Sequence, residues 1–284
     1  MGNVLDRLTK LLPELSNKLA IAGRYALDNP DQIAMNSMRT IAGSCEVASP
    51  TMLRLARKMG FENYVEFKAA FQKELVGQGF EHRANALKAS EQPNEKQGLI
   101  NQIAHAANTN ITTAFSECDP NTLQQIANVM LTARTTYVIG SGSAHWLAAF
   151  MQSTGRMALP ELRAPRSGDA PTIETLGSLG PEDAILAIGF SPYAKRTVDV
   201  LKFASTQGAK IMVITDRRSS PLLEFADLTL LAPSKSPHYF PSMIAPIAMI
   251  ELILATVVSE SGPDTLNRIT YLEGLREEIG EYIW

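Results

Sequence analysis

Residues 135–152 read TTYVIGSGSAHWLAAFMQ, and this stretch indicates the fold of the larger part of the chain. The run Thr135–Ile139, rich in β-branched and aromatic residues, predicts a strand; a glycine-rich loop and an apolar helical stretch follow it. The alternation recurs downstream and is typical of parallel sheets built from βαβ units. The further strand candidates are Pro160–Arg163, Ala184–Ile188, Lys210–Thr215 and Leu228–Leu231. The sequence therefore predicts an α/β domain with a doubly wound parallel sheet flanked by helices.

The loop Gly140-Ser141-Gly142-Ser143 is the first candidate binding element. Glycine lets the backbone approach an anion closely, and the N-terminus of the following helix stabilises negative charge. Ligands of open α/β sheets bind at the carboxyl ends of the strands, where this loop is expected to lie. A tight structural connection is an equally good interpretation of the loop taken alone.

The first part of the chain follows a different pattern. Residues 1–77 carry only helical periodicity, which predicts an all-α domain. A polar stretch then indicates a linker over residues 78–98. Two helices, over residues 99–116 and 120–133, are predicted between this linker and the first strand of the sheet.

Residues 36–61, NSMRTIAGSCEVASPTMLRLARKMGF, predict a helix-turn-helix unit. Ser49-Pro50 marks the start of the second helix, and Gly60 marks its end. At about 100° per residue, the apolar side chains share one face of that helix and the polar side chains share the other. The apolar set is Met52, Leu53, Leu55, Ala56 and Met59, and the polar set is Thr51, Arg54, Arg57 and Lys58.

The polar face of this helix carries three cations and no acid. A major groove admits one helix, arginine pairs bidentately with guanine, and lysine neutralises phosphate. A solvated surface helix is the alternative for a cationic helix taken alone, but the preceding short helix and the apolar Val47 in the turn favour DNA binding. The predicted DNA-contacting residues are Ser49, Thr51, Arg54, Arg57 and Lys58.

Composition narrows the function classes. The 284 residues are 45% hydrophobic and 19% charged, as in ordinary globular proteins. The formal net charge of −3 provides no global attraction to nucleic acid, so any DNA contact must come from a local basic patch. The two cysteines, Cys45 and Cys118, exclude a disulfide framework and fit a reducing cytoplasm. The apolar stretch from Met243 to Val258 is too short to span a bilayer and predicts a buried helix.

Residues 1–77 resemble the N-terminal helix-turn-helix domain of RpiR-type regulators, also called the MurR/RpiR family. The resemblance rests on LDNPDQIAMNSMRTIA and SPTMLRLARKMGFENYVEFK, and above all on the run TMLRLARKMGF. Two positions depart from the family: Glu46 stands where the turn usually has glycine, and Ala48 stands where the capping serine falls. We expect Ser49 to take over the cap.

The resemblance implies that residues 99–284 form a sugar isomerase (SIS) domain that binds a phosphosugar. The expected second ligand loop is GFSPYAKRT, and LAPSKSPHYFPS offers further polar groups before the last long apolar helix. Lys195 and Arg196 are either cations that attract the phosphate, carboxylate or sulfonate of a ligand or, equally, surface residues at a helix start. The candidate effector-binding residues are Ser141, Gly142, Ser143, His145, Ser191, Tyr193, Lys195, Arg196, Ser236 and His238, with Arg163 and Arg166 as further anion-binding candidates.

We therefore expect a transcriptional regulator of a carbohydrate or related catabolic operon, a repressor with activation as the alternative. Its expected partners are double-stranded operator DNA, a small anionic or polar effector and further copies of itself in a homodimer or homotetramer. No catalytic residue, cofactor, metal or membrane is expected. A sugar-phosphate isomerase with a helical appendage is the second hypothesis, with Glu174, Glu182, His145 and His238 as available bases. A sugar-binding module that regulates another protein is the third.

Overall fold

The computed structural model describes residues 4–77, 80–89, 96–165, 176–218 and 220–282. The chain forms two compact units, Met1–Glu91 and Gln92–Trp284. The predicted linker over residues 78–98 brackets this division, and residues 90–95 of the linker lie outside the described residues. Its first half contains a helix, Phe80–Ala89.

The first unit is helical, as predicted, and its first six α-helices surround one apolar core. The helices are α1 Val4–Leu11, a short 3₁₀ helix Leu12–Glu14, α2 Asn17–Asp28, α3 Pro30–Met35, α4 Met38–Ser44, α5 Ser49–Lys58, α6 Tyr64–Gly77 and α7 Phe80–Ala89. Phe67 and Phe71 of α6 are fully buried, with ring centroids 4.8 Å apart. Aromatic burial of this kind supplies much of the stability of a small domain.

The turn between α4 and α5 closes by hydrogen bonds within the backbone. The amide of Val47 donates to the carbonyl of Ala42 over 2.9 Å, and the amide of Glu46 donates to that of Gly43 over 3.2 Å. This pair of bonds is the Schellman motif, which needs a left-handed residue after the helix. Glu46 takes that conformation with φ 54°, in a region of backbone angles that glycine adopts at least cost.

The start of α5 differs from the expectation in one detail. Ala48 occupies the cap position with extended backbone angles, φ −74° and ψ 144°, and Ser49 is already the first helical residue. No described side chain caps the N-terminus of the helix, so the predicted cap by Ser49 is wrong. A residue with helical backbone angles sits too far along the helix to cap the amides of its first turn. The predicted end at Gly60 is correct, since Gly60 has φ +84° and closes a second Schellman motif.

The second unit contains the predicted parallel sheet. Its helices are α8 Lys96–Ser116, α9 Pro120–Thr132, α10 Ala144–Gly155, α11 Lys195–Thr206, α12 Ile244–Glu260 and α13 Pro263–Glu278. Its strands are β1 Thr136–Gly140, β2 Leu162–Arg163, β3 Ala184–Gly189, β4 Lys210–Thr215 and β5 Leu228–Leu231. The predicted cap of α9 is present, since the Asp119 carboxylate accepts from the amide of Thr122 over 3.0 Å.

The strands lie in the order β2-β1-β3-β4-β5, all parallel. The predicted architecture is therefore confirmed. The connection from β1 runs outward to β2, whereas the one from β2 returns past β1 to β3, so the strand order reverses between β1 and β3. Crevices for ligands form at such a reversal, outside the carboxyl ends of the strands. The loops after β1 and β3 carry most of the candidate effector residues.

Helix α12 is the buried helix predicted from the apolar stretch near the end of the chain. Met249, Ile250, Ile253 and Val257 are fully buried in the same core as one face of the sheet. No single described helix is long and apolar enough to cross a membrane; α12 and α13 satisfy that test only as a pair joined across a bend of 115°.

Candidate DNA-binding helix and effector-binding edge

Helix α5 presents the predicted cationic face to solvent. Arg54, Arg57 and Lys58 are exposed, and none of them forms an ion pair or side-chain hydrogen bond with any residue that the structure describes. Thr51 and Ser49 are half-buried in the first turn. Cations without carboxylate partners remain available to phosphates and to the acceptor edges of bases.

The opposite face anchors this helix in the core of the helical unit. Met52, Leu55 and Ala56 are fully buried. Burial of both large side chains contributes about 2–3 kcal/mol each and fixes which face of the helix meets solvent. The predicted division of α5 into an apolar and a cationic face is therefore present in the structure.

Arg7 holds the end of α5, a role that the sequence analysis missed. Its guanidinium Nη2 donates to the carbonyl of Met59, which caps the helix. The same guanidinium lies 5.2 Å from the ring centroid of Phe61. A cation at a helix C-terminus satisfies free carbonyls and interacts favourably with the helix dipole. Spacing along the chain gives no sign of the contact, because 52 residues separate the partners.

The first effector loop depends on a close backbone approach at Gly140. A Cβ on this residue would lie 2.5 Å from the carbonyl oxygen of Ala144 and 2.7 Å from its carbon. Only glycine therefore allows α10 to start this close to the end of β1. Gly142 takes the left-handed conformation with φ +60°. These features position the loop at the carboxyl edge of the sheet, as predicted.

Donors in this loop are available for an anion. No described residue accepts a hydrogen bond from the backbone amide of Gly142 or Ser143. The Ser143 hydroxyl is likewise not used as a cap of α10. The Ser141 hydroxyl is 2.9 Å from that of Thr197, which ties the loop to the first turn of α11. Free amides before a helix N-terminus form a natural anion site.

The second effector loop is tied to the end of β4. The Tyr193 hydroxyl donates to Oδ1 of Asp216 over 2.6 Å, and Nε of Arg217 donates to Oδ2 over 3.0 Å. Burial, and then the nearby Asp216 carboxylate, raise the pKa of Tyr193, so the phenol remains a donor. The sequence analysis missed Asp216. Its place directly after a predicted strand is the signal that could have identified it.

The remaining candidates divide between the edge and the surface. Lys195 is exposed and pairs with Asp199 over 2.6 Å, which favours its interpretation as a surface residue. Arg196 is exposed as well. Ser191 is half-buried beside the cis bond to Pro192.

The loop after β5 is ordered by local hydrogen bonds. The Ser236 hydroxyl accepts from the amide of His238 over 3.1 Å, and Nδ1 of His238 accepts from the amide of Phe240 over 3.1 Å. Asn110 of α8 donates to the carbonyl of Lys235 over 2.6 Å and holds the loop against the sheet unit. The His238 side chain is exposed at the edge where the other candidates lie.

Among the candidates that the structure describes, only His145 lies in the interior. It is 6% exposed, and its Nδ1 has no hydrogen-bond partner among the described residues. Arg163 forms an ion pair with Glu161 over 2.6 Å at the surface, and Arg166 lies outside the described residues. Within the described ranges no group of three His, Cys, Asp or Glu side chains could hold a metal.

Comparison with known proteins agrees with both parts of this description. The family model for the helix-turn-helix domain of the rpiR family matches residues 3–78, and the SIS domain model matches residues 130–259. An HTH-type transcriptional regulator of Haemophilus influenzae is 24% identical over 263 residues, 90% of each chain. The regulator HexR of Pseudomonas aeruginosa is 23% identical over 270 residues, 93% of this chain and 92% of HexR.

A solved structure extends the comparison to the fold. The NanR protein of Vibrio vulnificus, complexed with ManNAc-6P, has a TM-score of 0.64 at 18% identity, covering 98% of this chain and 99% of NanR. A helix-turn-helix domain with a solvent-facing cationic helix precedes a parallel α/β sheet in this chain. The chain therefore belongs to the RpiR family of HTH-type transcriptional regulators and carries an SIS domain after its DNA-binding domain.

Proposed function

We propose that this protein represses a carbohydrate or related catabolic operon and releases its operator when a small phosphorylated sugar binds the SIS domain. The observation that carries the DNA-binding part is the cationic face of α5, on which Arg54, Arg57 and Lys58 have no carboxylate partner in the described structure. We assign DNA binding to residues 1–77 and effector binding to residues 99–284, joined by residues 78–98. A regulator of this kind acts in the cytoplasm.

The proposed DNA interface places α5 in the major groove. Arg54 and Arg57 read base edges, Lys58 neutralises a phosphate, and Thr51 and Ser49 contact the DNA from the first turn. Two copies of the chain present two such helices to half-sites about one DNA turn apart, or a multiple of it. We therefore expect a homodimer or homotetramer on a symmetric operator.

The proposed effector site lies at the carboxyl edge of the sheet. Ser141, Gly142 and Ser143 belong to the first loop, and His145 follows it. The amides of Gly142 and Ser143 donate hydrogen bonds to the phosphate. The second and third loops contribute Ser191, Tyr193, Arg196, Ser236 and His238, and Lys195 reaches the site only by leaving its ion pair with Asp199. NanR, which shares the fold, is complexed with a sugar phosphate, and this supports the ligand class proposed here.

Regulation follows from a difference in affinity between two states. The effector lowers operator affinity only to the extent that it binds the DNA-released state more tightly than the DNA-bound state. The same free energy must appear in both directions, so operator DNA weakens effector binding by the same factor.

The cationic face of α5 favours sensing over isomerisation, although His145 and His238 place two of the four candidate bases near the effector loops. Glu182 precedes β3 and therefore lies at the amino edge of the sheet, away from the effector loops. Glu174 lies outside the described residues. An isomerase needs a base within hydrogen-bond reach of the sugar carbons. A cationic DNA-reading helix, in contrast, has no use in an isomerase.

The deciding experiment is DNA binding by the full chain to its own upstream intergenic region, with and without a panel of sugar phosphates, sugars and organic acids. We expect specific binding that one sugar phosphate weakens. Ser191→Ala should keep DNA binding and lose most of the response, whereas Ser205→Ala, an exposed serine on α11, should respond as wild type. Tighter operator binding with the effector would contradict release, and transcription from the operator with and without the effector would then separate an activator from a repressor that needs a co-repressor. Absence of specific binding, together with turnover of a sugar phosphate, would establish the isomerase instead.

A further inference from the structure

A cavity of about 400 Å³ lies between α10 and α13, away from the effector loops. Helix α10 begins at the carboxyl edge of the sheet, directly after β1, and runs back toward the amino edge. The cavity is lined by its C-terminal half and by Arg156 just beyond it. It therefore lies at the opposite end of the sheet unit from the proposed effector site, and α13 lies beyond the residues that match the SIS domain model.

Three arginines line this cavity, which we call the arginine groove: Arg156, Arg268 and Arg276. No Asp or Glu is among its described lining residues. Guanidinium groups that converge on one cavity repel one another, since each carries a permanent positive charge. An anion between them removes this repulsion and gains charge-assisted hydrogen bonds.

Only one of the three arginines has a carboxylate partner in the described part of the chain. Nε of Arg276 is 3.1 Å from Oε2 of Glu281, and its Nη1 contacts the sulfur of Met157. Arg156 is exposed and Arg268 is half-buried, and neither forms an ion pair with a described residue. Asp264, one turn before Arg268 on α13, is not close enough to pair with it.

Arg268 gives a second indication of a ligand site, because one of its hydrogen-bond donors is buried. Its Nε is buried and has no hydrogen-bond partner among the described residues. A buried donor without an acceptor is rare in folded proteins and often marks a bound ion or water. Arg268 also lines an adjoining cavity of about 270 Å³, where the buried Thr136 hydroxyl has no described partner and where Glu161 and Asp264 lie without forming an ion pair with Arg268.

We propose that the arginine groove is a second ligand site, which binds a small multivalent anion carrying phosphate or carboxylate groups. Its volume falls within the range of about 300–1,000 Å³ that is typical of small-molecule sites. Leu272 and Met157 supply an apolar wall, and Gln152 and Ser153 supply neutral polar groups. Arginine recognises planar carboxylates and phosphates through two parallel hydrogen bonds, which suits this set of side chains.

The test is calorimetric titration of the full chain with inorganic phosphate and with citrate, each at constant ionic strength. We expect saturable binding of at least one anion. Arg156→Gln and Arg268→Gln should each weaken it about tenfold or more, which is the ordinary effect of losing a charge-assisted hydrogen bond. Lys202→Gln removes an exposed cation on α11 and should leave the affinity unchanged.

The two anions distinguish a phosphate preference from a carboxylate preference, and either preference supports the site when Arg156→Gln weakens it, because the effector loops are themselves proposed to bind phosphate. The proposal fails if wild type shows no saturable binding of either anion. It also fails if Arg156→Gln binds as wild type, or if Lys202→Gln weakens binding as much as Arg156→Gln. Because Arg156 is exposed, its substitution decides the matter even if the half-buried Arg268 proves necessary for folding.

Discussion

Helix α5 presents its candidate DNA contacts from one run of ten residues, whereas the effector edge draws its candidates from loops after three different strands. On α5 the cations are free of carboxylates in the described structure, and the helix period alone determines which side chains share a face. At the edge, hydrogen bonds between loops determine which groups remain available: Ser141 is joined to Thr197, and Tyr193 is joined to Asp216. We therefore call the site on α5 local, because neighbouring residues of one helix form it. We call the site at the effector edge collective, because it depends on contacts between loops.

Gly140→Ala should have the largest effect of the changes considered, because it breaks the collective site at its backbone. The new Cβ would lie 2.5–2.9 Å from the carbonyl group and Cβ of Ala144, and backbone atoms cannot move aside cheaply. We expect a loss of about 3 kcal/mol in the free energy of unfolding, at the upper end of overpacking effects. Chemical denaturation measures the loss.

The matched control is Gly274→Ala on α13, where an added Cβ meets no described atom within 4 Å. It should raise stability by about 0.5–1 kcal/mol, as expected for alanine in a helix interior. Equal stability of Gly140→Ala and wild type would show that the start of α10 tolerates movement.

Arg54→Ala should weaken operator binding by about 1–3 kcal/mol, because the substitution removes the base contact of one arginine on the local site. The free energy of unfolding should stay within about 0.5 kcal/mol, since the side chain is exposed. Electrophoretic mobility shifts at fixed salt measure the affinity, with Lys202→Ala as the control for general loss of charge. An affinity equal to that of wild type would remove Arg54 from the interface.

Tyr193→Phe tests the link between the second effector loop and the loop at the end of β4. The change removes the hydrogen bond to Asp216, whose side chain is only 4% exposed, but leaves the contact with Arg217. We expect a loss of about 1–2 kcal/mol in the free energy of unfolding. The effector response should also weaken, while operator binding without effector stays at the wild-type level. Unchanged stability would mean that the two loops hold their positions independently.

Glu46→Gly should have the smallest effect, and it should stabilise the protein. Glu46 holds a left-handed conformation that costs a residue with a side chain about 1–2 kcal/mol, and the greater freedom of glycine in the unfolded chain offsets part of the gain. We expect a net gain of about 0.5–1 kcal/mol by thermal unfolding. Gly60→Ala, at the equivalent position after α5, should lose a similar amount. A destabilised Glu46→Gly would show that the carboxylate contributes more than the backbone strain costs.

The strands show how accurately local sequence patterns predict the boundaries of an element. The predicted ranges of β4 and β5 agree with the structure, and β1 is displaced by one residue, to Thr136–Gly140. Gly140 belongs to the strand because it pairs with Ile188 of β3, and a pairing partner 48 residues away leaves no mark on the local pattern. The prediction that Ser49 caps α5 was wrong for a related reason. Whether Ala48 or Ser49 is the cap residue depends on their backbone angles, which the residue types do not determine.

Local sequence patterns are enough to predict the order of elements, the α/β class, the two-faced character of α5 and the positions of the candidate loops. Each of these follows from periodicity or from residues with strong backbone preferences, which act over a few neighbouring positions. Three features depend on the fold and leave no local pattern: the contact of Arg7 with the end of α5, the hydrogen bond between Tyr193 and Asp216, and the grouping of three arginines between α10 and α13. Arg7 and Met59 are 52 positions apart, Tyr193 and Asp216 are 23 positions apart, and Arg156 is more than 100 positions from the other two arginines; folding alone brings such residues together.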